Sequence, residues 1–107
     1  MNTQFSEREK GFEAKFKIDQ ETNFKIEARR NKLLGLWLAR QLGLPESEQE
    51  AYAKAVVLAD LEEPGIEDVM RKVMGDIHER GAGVTEDDVR RKLTELHDTA
   101  HRQITSE

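Results

Sequence analysis

Apolar residues along this chain of 107 residues recur at intervals of three and four, and alternation with polar residues is never sustained. That period belongs to helices with one face turned inward, not to strands. The clearest stripe is Ile66, Val69, Met70, Val73, Met74 and Ile77, and Gly81-Ala82-Gly83 stands where such a helix must end. A second stripe, Val89, Leu93, Leu96 and Ala100, follows Thr85, whose hydroxyl can cap a helix, and the acids Glu86, Asp87 and Asp88, which suit its first turn. Upstream, Tyr52, Ala55, Val56 and Ala59 predict a helix from about Glu46 to Leu61. Between about Glu21 and Leu42 the pattern becomes apolar nearly all round, at Leu33, Leu34, Leu36, Trp37 and Leu38. This predicts a central helix touched on several sides. Gly43 suits a left-handed cap, and the Leu44-Pro45 step stops the helix from continuing.

Short breaks at Gly43-Leu44-Pro45, Glu62-Glu63-Pro64-Gly65 and Gly81-Ala82-Gly83 favour antiparallel neighbours. The expected fold is therefore all-α, a small four-helix bundle over residues 19–107. Residues 1–18 are expected to form a mobile, partly helical N-terminal arm. A helix can begin at Ser6-Glu7-Arg8-Glu9, which has the form of a capping box, although Gly11 weakens the next turn. On such a helix Phe5, Phe12 and Phe16, seven and four apart, make one apolar stripe flanked by Arg8, Glu9, Lys10, Glu13, Lys15 and Lys17. Covering three phenyl rings offsets only part of the chain entropy lost when about 15 residues become ordered. The arm should become helical in a partner's groove.

Composition narrows the chemistry. Charged residues are 36% of the chain, equal to the hydrophobic fraction, as suits helices with solvated outer faces. There is no cysteine, hence neither a disulfide nor a thiolate metal site. The first residues lack an apolar signal core, and no window approaches a membrane span, so a cytoplasmic protein with no direct membrane insertion is expected. Residues 1–40 carry nine Lys and Arg against six Asp and Glu, while 41–107 carry eight against sixteen. Such an acidic bundle lacks the continuous basic face that a nucleic-acid binder needs.

No catalytic constellation stands out, and neither cofactor nor metal is expected. His97 and His101 lie four apart, but no cysteine or HExxH glutamate accompanies them, and solvated or rim histidines are the expected reading. Glu62 with Glu63, and Asp87 with Asp88, sit where loops and helix starts favour acids. Arg29, Arg30 and Lys32 could meet a phosphate or an acidic surface, or could simply flank the central helix and pair internally. Trp37 is expected to anchor the core, with its N–H finding a partner.

FSEREKGFEAKF, EARRNKLLGLWLARQLGL, EAYAKAVVLADLEEPG and EDVMRKV together resemble the zeta subunit of the alphaproteobacterial F1Fo-ATP synthase. The resemblance implies a non-enzymatic regulator whose N-terminal segment enters F1 between an alpha/beta pair and the gamma stalk, becomes helical and stops hydrolytic rotation. It further implies a monomer when free, held at the membrane only peripherally, through F1Fo. The inhibitory pattern falls on Phe5, Arg8, Glu9, Phe12, Glu13, Lys15 and Phe16. Arg29, Arg30, Asn31, Leu33, Leu34, Leu36 and Trp37 match the bundle signature. Two other readings stay open: a bundle binding a small ligand such as a nucleotide, with Arg29, Arg30 or Lys32 on its phosphate, and a structural adaptor without inhibitory activity.

Overall fold

The computed structural model describes the backbone of residues 2–62 and 65–106, and the side chains of 20–61 and 65–106. Four helices occur among them: α1 (Asn2–Gln41), α2 (Glu46–Glu62), α3 (Ile66–Arg80) and α4 (Glu86–Thr105). The all-α bundle anticipated from the periodicity is present; α2 and α3 begin and end within a residue of the expected positions, and α4 begins at its expected cap and runs to Thr105, beyond the last stripe residue Ala100. The first helix differs. Its backbone runs unbroken through the expected start at Ser6 and through the 18/19 boundary to Gln41. No proline interrupts the sequence before Pro45, and the two interior glycines, Gly11 and Gly35, cost only about 1 kcal/mol each, so nothing in the covalent chain forces a stop. The side chains proposed for the arm, Phe5, Arg8, Glu9, Phe12, Glu13, Lys15 and Phe16, and the Ser6 cap lie outside the described residues, as does Glu63-Pro64.

Helix ends follow the local chemistry. Gly43 adopts φ 75°, and its N–H donates to the Arg40 carbonyl at 3.1 Å while the Leu44 N–H reaches the Ala39 carbonyl at 2.9 Å. This is the paired closure that a left-handed glycine permits. Gly81 ends α3 in the same way, at φ 65°. At the start of α4 the Thr85 Oγ1 accepts from the Asp88 N–H at 3.1 Å, and the Asp88 carboxylate accepts from the Thr85 N–H at 3.1 Å. Those bonds hold the Asp88 carboxyl below the usual carboxylate range, the Thr85 backbone donor contributing most.

The core is a single cluster of Leu34, Leu38, Val56, Val69, Met70, Val73, Ile77, Val89 and Leu93. α1 packs on both α2 and α4, which makes it the central helix as its sequence suggested. Its apolar run divides, however: Leu34 and Leu38 are buried, while Leu33, Leu36 and Trp37 are half-buried. Trp37 lies at the core's edge with the Lys92 ammonium 5.6 Å from its ring centre, within reach of the aromatic face. On α2 the expected Val56 is buried together with Ala53, one position from the expected Tyr52, while Tyr52, Ala55 and Ala59 are half-buried. Tyr52 instead turns its hydroxyl to Asp76 on α3, donating at 2.7 Å, and Lys72 meets the same carboxylate at 3.1 Å. Burial, then the bond to Asp76, raises the phenol's pKa above its ordinary value.

Candidate functional site

Two buried polar residues stand among the apolar ones, Arg30 and Asn31, both on α1. Asn31 is fully enclosed. Its Nδ2 donates to Asp60 Oδ2 on α2 at 3.0 Å, and its Oδ1 accepts from Arg30 Nε at 3.1 Å. The other oxygen of Asp60 accepts the Gly65 N–H at 3.1 Å, immediately before α3. Arg30 Nη1 approaches His97 Nδ1 on α4 at 3.4 Å. A guanidinium can only donate, so this contact requires a lone pair on Nδ1. One short polar chain thus joins α1, α2, the entrance to α3, and α4.

Arg30 is buried to 5% exposure, and this loss of water lowers its pKa below the ordinary value despite the attraction of Glu27 and Asp60. Beside it opens a groove of about 780 Å³ lined by Ile66 of α3 and by Leu93, His97 and His101 of α4, among others. Ile66, expected within the α3 stripe, is 41% exposed there. The two histidines share this groove, and no group of His, Asp and Glu with the grouping needed to hold a metal ion occurs among the described residues.

The three basic residues singled out in the sequence do not converge. Arg29 is half-buried and donates to Gln103 Oε1 of α4 at 2.8 Å. Arg30 turns toward Asn31 and His97, whereas exposed Lys32 lines a separate shallow depression with Glu50, Lys54 and Val57 of α2. Three neighbouring positions on a helix point in different directions, and each has met a different part of the bundle. Sequence reasoning passed over Asp60, which completes the buried chain, and Phe24, which is 56% exposed near the start of the described part of α1. Asp60 carries no local signal, because only tertiary pairing brings it to Asn31. Phe24 could have been noted as eight residues, about two turns, beyond Phe16.

Replacing Asn31 by leucine, similar in size, should expose how much the chain of bonds holds. It removes the partner of the buried Arg30 Nε and the amide donor of the half-buried Asp60 Oδ2, a loss of about 2–4 kcal/mol. Urea unfolding of Asn31→Leu should show a lower midpoint with an unchanged slope. An unaltered midpoint would mean that the bonds contribute nothing net.

The model of one protein family, described as ATPase inhibitor subunit zeta, matches residues 1–103. A comparison with curated proteins finds no match. Among solved structures, one determined by solution NMR is 51% identical, with the likeness covering 78% of this chain and 94% of the other at a TM-score of 0.68. The match extends through the arm as well as the bundle, and the fold agrees with it: this chain belongs to the ATPase inhibitor subunit zeta family.

Proposed function

We propose that the protein is a non-catalytic regulator that inhibits ATP hydrolysis by the F1 sector of an ATP synthase, acting through residues 1–18. The observation that carries this reading is the family match, which begins at residue 1 and so includes the segment with the phenylalanine stripe. The arrangement of the bundle supports it. Along the described part of α1 the first buried residue is Ile26, so the core among the described residues starts eight positions beyond the proposed arm.

In this mechanism Phe5, Phe12 and Phe16 are the apolar anchors, and Arg8, Glu9, Glu13 and Lys15 set register against the walls of a cleft between an alpha/beta pair and gamma. The cleft exists only at certain rotor angles. A helix ordered by one such angle resists further turning in the hydrolytic direction, while turning the other way opens the cleft and expels it. Differential affinity for two rotor states is all that such a ratchet requires. The boundary between arm and bundle at 18/19 is then one of task, not of secondary structure. Arg29, Arg30 and Lys32, which diverge, have structural or docking roles and not a shared phosphate.

Steady-state hydrolysis by cognate F1 tests the reading. Adding the intact chain at a small molar excess should remove most of the activity, and the bound chain should crosslink to alpha, beta and gamma. Undiminished hydrolysis at saturating protein would refute inhibition by this chain.

A further inference from the structure

Phe24 is 56% exposed, more than Leu58, Leu61 or Ile66, the other large apolar side chains left open among the described residues. Its place on α1 sets it apart from them. Ile26, two residues on and about 200° around the helix, is buried. Phe24 falls instead on the face of Asn31 and Gly35, seven and eleven residues later, which meets α2 at Asp60 and Ala53. α2 ends at Glu62, two residues past Asp60, whereas Phe24 stands about 10 Å along α1 from Asn31. The face that α2 covers at Asn31 therefore runs on past the end of α2. Gln20, Glu21 and Lys25 border a shallow hollow beside the ring and leave it open.

We propose that Phe24 is a further contact with F1, its ring lying against an apolar patch on the rim of the cleft that receives residues 1–18. The assignment rests on the inhibitory reading above and extends it past residue 18. Continuity of the helix selects the occupant. The backbone of α1 is unbroken from Asn2 to Gln41, so position 24 stands about 12 Å beyond position 16 on the same rod. A wall that closes over the arm as far as Phe16 brings its outer edge within two turns of Phe24. The arm cannot cover the ring itself, because both lie on one helix that does not turn back. Charge selects the kind of surface. Glu21 and Lys25, exposed beside the ring, carry opposite signs, so neither an acidic nor a basic patch is favoured and an apolar one is. An aromatic ring at the mouth of a groove is a common anchor for a helix seated in it.

Half-inhibition of hydrolysis by cognate F1, measured with full-length chains, tests the contact. Covering the open part of one phenyl ring changes affinity by roughly five- to fifteenfold, so Phe24→Ala should raise the half-inhibiting concentration by that factor. Phe24→Leu keeps most of the apolar surface and should raise it by less than about threefold. Alanine and leucine are better helix formers than phenylalanine, so a weakened helix does not account for such a loss. Leu58→Ala removes a side chain of comparable exposure, 45%, from α2 and should leave inhibition unchanged. With Phe24 replaced by photoreactive benzoylphenylalanine, the chain should crosslink from that position to an alpha, beta or gamma subunit. Equal half-inhibition by Phe24→Ala and the intact chain, an equal loss in Leu58→Ala, or crosslinking only to a second copy of this chain would each overturn the proposal while inhibition by the arm stands. Undiminished hydrolysis with the intact chain would remove the inhibitory reading and this contact together.

Discussion

A chain lacking residues 1–18 should fold as the intact protein does and yet fail to inhibit F1. The two halves of that outcome rest on different observations. For folding, the first described core residue of α1 is Ile26, eight positions past the cut at residue 18, and among the described residues every other buried one lies further along the chain. The cut also leaves Asp19 and Glu21 in the first turn of the shortened helix, where the macrodipole favours negative charge. The thermal midpoint should therefore move by no more than a few degrees. For inhibition, the deletion removes all three phenylalanine anchors. Each ring taken out of water contributes roughly 1.5–3 kcal/mol, so together they weaken half-inhibition on the order of a thousandfold or more. Hydrolysis by cognate F1 at a concentration where the intact chain inhibits should then equal the uninhibited rate. Full inhibition by the shortened chain would place the inhibitory element in the bundle, and loss of its fold would leave the arm with a structural role that the core contacts do not indicate.

Sequence pattern revealed the elements more readily than their joints. Helix ends at Gly43 and Gly81, and the start at Thr85, were legible because one or two residues determine each of them through backbone geometry or a capping oxygen. The same holds for the α3 stripe, since four of its six members are buried. Pairing between helices was not legible. Asn31 reads as one polar residue in an apolar run, and nothing near it in sequence announces that Asp60, 29 positions later, will accept its N–H. Basic residues at 29, 30 and 32 looked like a cluster because adjacency in sequence is easily mistaken for adjacency in space. A helix turns by about 100° per residue, and these three side chains meet α4, the groove and the α2 side respectively. The groove itself could not be foreseen. It depends on Ile66 being left partly uncovered where α3 meets α4, a matter of helix placement and not of composition.

Glycine gives the sharpest case of two positions that the sequence treats alike and the fold separates. Gly35 and Gly75 both lie inside helices, where replacing glycine by alanine ordinarily gains up to about 1 kcal/mol. At Gly75 nothing stands within 4 Å of an added methyl group, so Gly75→Ala should raise the melting temperature by a few degrees. At Gly35 an added Cβ would stand 2.5 Å from the Ala53 Cα and 3.1 Å from the Ala53 Cβ. The obstacle is the backbone of α2, which cannot rotate out of the way as a side chain can. Gly35→Ala should therefore force α1 and α2 apart and destabilise by about 1–3 kcal/mol, the range for overpacking, despite its better helix propensity. Gly35→Val adds two more methyl groups at the same contact and parts Leu34, Leu38 and Val56, all fully buried, from their neighbours. For a domain whose whole stability is on the order of 5–10 kcal/mol, that change should leave a large fraction unfolded at physiological temperature. Circular dichroism melts of the three variants decide the matter. Opposite signs at Gly75→Ala and Gly35→Ala, with Gly35→Val lowest, are expected of a close crossing between α1 and α2; a Gly35→Ala protein as stable as its parent would mean that the two helices do not meet there.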